Sequence, residues 1–125
     1  MTNKLGARGQ ALLCVIVAEI RNDRVKKGDP TSFIPYSEAL SKLGLAPNPF
    51  AGRRLQYAGL NELNEWTIHS YGIPKVAGLI VSKRYWEPSE GYPRSHGLST
   101  ENHEWKKWWM AETDKAIAFD WSPFV

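Results

Sequence analysis

The chain has 125 residues, 42% of them hydrophobic and 23% charged, which bounds it to one domain with one modest core and excludes global disorder. A net charge of +3 and a pI near 9.1 permit contact with nucleic acid without demanding it. The single cysteine, Cys14, excludes an internal disulfide and fits a reducing cytoplasm; the apolar run 11–18 is too short to span a bilayer and no clean cleavage site follows it, so neither a signal peptide nor a membrane anchor is expected.

After a polar start over 1–6, residues 7–28 read as a helix whose apolar face is supplied by Leu12, Leu13, Val15, Ile16, Val17 and Ile20. Lys26 and Lys27 suit the negative end of its dipole, and Gly28 with Pro30 is a stop signal. Cys14 lies inside this helix and reads as a buried structural thiol, because a reactive cysteine needs an accessible electropositive site. Residues 31–34 read as extended, and Pro35 fits the first turn of a short helix that carries Ala39, Leu40 and Leu43 inward and ends at Gly44. Two prolines and an asparagine make 45–52 a corner.

A third helix is predicted over 53–71, with Leu55, Gly59, Leu63, Trp66 and Tyr71 on one face. Gly59 inside it costs roughly 1 kcal/mol relative to Ala and marks a close approach of another helix. Gly72 and Pro74 end it. The short β-branched run 76–81 reads as a strand, and 87–94 as a loop. Ser99 or Thr100 caps a fourth helix ending near Asp114, with Glu101 and Glu104 in its first turn, and 117–121 alternates weakly enough to pair with 76–81.

The order of two helices, a strand and a basic turn over 34–92 resembles a small winged-helix-like domain of bacterial restriction and phage-defence proteins, which often accompanies HNH-type nucleases. The matching stretches are Ile34-Pro35-Tyr36-Ser37-Glu38-Ala39-Leu40, Leu60-Asn61-Glu62-Leu63-Asn64-Glu65-Trp66, Tyr71-Gly72-Ile73-Pro74-Lys75-Val76-Ala77-Gly78-Leu79-Ile80-Val81 and Pro88-Ser89-Glu90-Gly91-Tyr92, about half of the chain. The resemblance implies a single mostly helical α+β domain over 1–125, of winged helix-turn-helix type, with a small two- or three-stranded antiparallel sheet. It also implies a bacterial or phage conflict or regulatory setting. The nuclease part is absent from these residues, so the expected role is that of a non-enzymatic, cytoplasmic binding module.

In a helix-turn-helix the N-terminal residues of the second helix meet base edges. Here those are Arg53, Arg54, Gln56 and Tyr57, and Arg and Gln are the residue types that read guanine and adenine. Lys83 and Arg84 would sit at the wing and hold phosphates, so the expected partner is double-stranded DNA. The competing expectation is an adaptor or inhibitor of a DNA-handling protein, anchored by Trp105, Trp108 and Trp109. Those three rings cannot all face one core, since neighbours 108 and 109 diverge by about 100° on a helix.

Catalytic readings are weak. His96, His103, Glu104 and Asp120 lack any metal-ligand spacing, so no metal or other cofactor is expected. Glu104-Trp105-Lys106, preceded by Glu87 and Glu90, has the letters of a nuclease ExK element but falls on a helix, where residues two apart do not share a face.

Overall fold

The computed structural model describes residues 4–46 and 50–125. Of the polar start expected over 1–6 and the corner expected over 45–52, residues 1–3 and 47–49 lie outside the described residues. The elements are α1 (Ala7–Arg21), β1 (Ile34–Pro35), α2 (Tyr36–Lys42), α3 (Ala51–Leu55), α4 (Asn61–His69), β2 (Ile80–Val81), α5 (Gly91–Ser95) and α6 (Glu104–Ala118). The architecture is mostly helical with a small two-stranded sheet. Among the described residues no helix is long and apolar enough to cross a membrane.

Helix α1 buries Gly9, Leu12, Leu13, Ile16 and Val17, the one-sided spacing of a core-facing helix. Cys14 falls on the opposite side and is exposed, correcting its expected burial. The helix also stops at Arg21 rather than near Gly28. Asp23 takes a left-handed conformation (φ 62°), and the Arg24 and Asp23 amides donate back to the Glu19 and Ile20 carbonyls. That is a Schellman-type end with an aspartate where glycine is usual. Arg24 then pairs with Glu38 of α2 and with Glu19, and Lys42 reaches Glu19 at 2.7 Å, clamping α2 to α1.

The expected 53–71 helix is present as two helices joined by a π-helical turn over Gln56–Leu60. Gly59 is the break, at φ 146°. A Cβ there would lie 2.5 Å from the Arg8 carbonyl oxygen, so α1 crosses at this glycine, as its position in the apolar face predicts. Arg8 Nη1 donates to the Tyr57 carbonyl at 3.1 Å and so ties the broken segment to α1. Tyr71, expected on the apolar face, is fully exposed, because α4 ends at His69 and Gly72 (φ 79°) turns the chain away.

The sheet is parallel, with Ile34 opposite Ile80 and Pro35 opposite Val81, and not antiparallel as expected. The proposed pairing of 117–121 with 76–81 fails because α6 runs on through Ala118, past the expected end at Asp114. Four residues of the expected strand, Val76–Leu79, wind instead into a 3-10 turn. There the Gly78 carbonyl accepts from Trp109 Nε1 at 2.8 Å, so a side chain takes the place of a strand partner. The expected loop over 87–94 contains α5, whose Tyr92 and Pro93 are buried. The N-cap of α6 is His103, with no side-chain capping bond, rather than Ser99 or Thr100; Asn102 just before it accepts from the Glu104 amide at 3.0 Å. Phe33 and Trp109 meet edge to face at 5.9 Å near the centre of the core.

Candidate nucleic-acid interface

Arg53, Arg54 and Tyr57 are exposed on α3 and the turn that follows it, beside exposed Phe50, while Gln56 is half-buried. None of Arg53, Arg54, Lys83 and Arg84 makes an ion pair among the described residues. Arg24, Lys26, Lys42, Arg94, Lys106 and Lys115 pair with carboxylates, whereas Lys4, Arg8, Arg21, Lys27, Lys75 and Lys107 share with the candidates the lack of an ion pair among the described residues. The candidate cations are therefore charges that nothing in the described fold neutralises.

Lys83 and Arg84 do not sit on a β-hairpin wing. They lie in a tight turn after β2, closed by the Ser82 amide on the Glu87 carbonyl (2.9 Å) and the Trp86 amide on the Ser82 carbonyl (2.7 Å), with Trp86 at φ 55°. Lys106 of α6 holds Glu87 at 2.9 Å and anchors the far end of the turn. The Arg84 guanidinium rests 5.2 Å from the centre of the Tyr85 ring, and that ring is 64% exposed. Tyr85 directly follows Lys83-Arg84 and Phe50 precedes Arg53 by three residues, and neither is singled out in the sequence.

Tyr36 brings the two basic segments toward one another. Its ring packs over Gly52, where a Cβ would meet it at 3.4 Å, and its hydroxyl accepts from the Ser89 amide at 2.8 Å. Gly52 precedes Arg53, and Ser89 follows the turn that carries Lys83 and Arg84. Tyr36 thus touches the residue before Arg53 and a residue two places beyond the turn that carries Lys83 and Arg84.

Tyr36 and Ser89 also line a cavity of about 170 Å³. Its polar lining includes Tyr36, Gln56, Asn61, Asn64, Ser89 and Ser95. Asn64 is held on both sides: Nδ2 donates to Ser95 Oγ at 2.8 Å, and Oδ1 lies 3.0 Å from His96 Nε2. Ser95 in turn donates to the Tyr92 carbonyl at 2.6 Å. The His96 ring packs against Tyr92 and Trp108, and burial, reinforced by the Lys75 charge, lowers its pKa to about 4. Burial likewise raises the Tyr92 phenol above its usual range.

Of the three tryptophans considered as partner anchors, Trp105 and Trp109 are buried in the core, and Trp108 is half-buried against Tyr92 and His96. His103 is exposed at the start of α6, far in role from the His96 cage, and among the described residues no group of three or more His, Cys, Asp or Glu is assembled for a metal. Glu104 and Lys106 lie two apart on α6, and Lys106 pairs instead with Glu87 at 2.9 Å. Comparison with protein-family models, with curated protein sequences and with solved structures returned no match.

Proposed function

We propose that the chain is a non-enzymatic DNA-binding module of winged-helix type, in which α3 and the turn after β2 meet one duplex. What carries this reading is the set of four unpaired cations, Arg53, Arg54, Lys83 and Arg84, on the two segments that Tyr36 joins. Exposed arginines and lysines with no internal partner suit phosphate oxygens, whose neutralisation releases counterions and drives association. Arg53 on α3 and Gln56 at the start of the π-helical turn lie three residues apart, so this stretch offers a guanidinium and an amide side chain to the duplex. The tight turn is the functional counterpart of a wing: it is short, anchored at both ends, and places Lys83 and Arg84 at its exposed tip. The setting implied is bacterial or phage conflict or regulation.

The test is binding to a labelled, fully paired duplex across a salt series. Four phosphate contacts predict a log–log slope of about −3.6, and Arg53→Ala with Arg54→Ala should reduce it by about 2. Absence of binding at low salt sinks the reading.

A further inference from the structure

The cavity beside the basic segments is not explained by phosphate contact. Its walls combine apolar surface from Leu60, Ala77, Ile80 and Tyr92 with side-chain amides on one stripe of the α3–α4 segment, Gln56, Asn61 and Asn64. Asn64 is fixed by Ser95 and His96, whereas Gln56 and Asn61 make no side-chain hydrogen bond among the described residues. Gln56 is half-buried and Asn61 exposed, so their amide donors and acceptors stand open to whatever enters the cleft.

Size and charge narrow the ligand. A cavity of roughly 150 Å³ holds one benzene ring, so the 170 Å³ here accommodates a single six-membered ring. The one ionisable carboxylate on the rim is Glu65, which disfavours an anion such as phosphate and suits a neutral ring. Flat faces against apolar walls with a hydrogen-bonding edge toward amides describe a pyrimidine. Gln56 lines the cavity and follows Arg53 and Arg54 by three and two residues, so the cavity lies next along the chain from the α3 surface that carries those arginines.

We propose that the cavity between α4, α5 and the start of α2 binds one unpaired pyrimidine base. Its strand context rests on the DNA reading above; the base site itself does not. An unpaired base is the substrate because extracting a paired one costs a few kcal/mol of stacking and pairing.

The experiment compares one duplex in three forms: fully paired, with a single bulged deoxycytidine, and with a single bulged deoxyadenosine. The bulged pyrimidine should bind roughly tenfold more tightly than the paired form, and the bulged purine should gain nothing. Gly91→Leu places a side chain at the cavity rim. Its backbone is not left-handed and a Cβ there meets only Ser89 Oγ, at 4.0 Å, so this variant folds. It should lose the tenfold gain while binding the paired duplex as before. Equal affinity for paired and pyrimidine-bulged duplexes, or a gain that survives Gly91→Leu, overturns the proposal and leaves the DNA reading standing.

In parallel, free deoxycytidine is titrated while the side-chain amide resonances of Gln56 and Asn61 are followed. Shifts in those amides support the base site even if no duplex binds, which would remove only the DNA reading. Silence to deoxycytidine with a response to tyrosine amide would make the cavity a socket for a partner's aromatic side chain and overturn the proposal.

Discussion

The Tyr36 hydroxyl accepts a hydrogen bond from the Ser89 amide at 2.8 Å across 53 residues of sequence. With the same ring lying over Gly52, this contact sets how the α3 surface stands relative to the turn carrying Lys83 and Arg84.

Tyr36→Phe keeps the ring and removes the acceptor. Ser89 is exposed, so its amide turns to water, and the expected loss is that of one ordinary hydrogen bond, about 1 kcal/mol by urea denaturation. The cations are untouched, so the salt slope on paired duplex stays as in the parent while affinity falls, because the two contact segments are no longer held in register. Unchanged stability and unchanged affinity together would mean that the hydroxyl organises nothing.

A second expectation concerns the crossing of α1 over the break between α3 and α4. Gly59 has φ 146°, a conformation that side chains rarely adopt, and its missing Cβ leaves room for the Arg8 carbonyl. Gly59→Ala meets backbone on the other side, which has no flexible end to swing away. The loss should reach about 3 kcal/mol or more, through both strain and displacement of α1. Gly97→Ala is the comparison: φ is 74° but nothing lies within 4 Å of its would-be Cβ, so only the conformational cost applies. Similar destabilisation by the two variants would show that the α1 crossing is looser than this geometry.

How far these features were legible in the sequence depends on the range of the interactions that create them. The core face of α1, the stop at Gly44 and the helix crossing at Gly59 follow from local spacing and from what glycine permits, and each is present. The 76–81 strand is not, although its residues are β-branched and apolar, because the Trp109 indole bonds the Gly78 carbonyl from 31 residues away. Only Ile80 and Val81 remain to pair, and they pair with Ile34 and Pro35 in parallel. The early end of α1 was hidden for a different reason: Asp23 adopts the turn that glycine usually makes. At the candidate interface, the cations were visible as residue types. That they lack partners, and that Tyr36 joins their segments, depends on contacts across the fold. The cavity escaped notice because Gln56, Asn61 and Asn64 carry no charge and no motif.

The His96 ring supplies a pH dependence whose sign and window can be worked out. Its folded pKa is about 4, lowered first by burial and then by the Lys75 charge, with Glu112 and Glu65 opposing. An unfolded histidine titrates near 6.5. Between those values the unfolded chain takes up a proton that the folded chain refuses, so stability is full above about pH 6.5 and falls as the pH drops toward 4. The ring is only half-buried, so screening by solvent trims the effect, and about 1 kcal/mol should be lost between pH 7 and pH 5. Glu19 also has a lowered pKa, through its bond to Lys42, but its contribution is lost only as the pH falls below the ordinary carboxylate value of 4.5. The two windows are therefore separable. His96→Gln retains a donor toward Asn64 and cannot titrate, so its denaturation midpoint should stay flat from pH 7 to pH 5 while that of the parent declines. Parallel decline in both would place the proton uptake elsewhere and would mean that the cage of Tyr92, Trp108 and Asn64 does not hold the ring neutral.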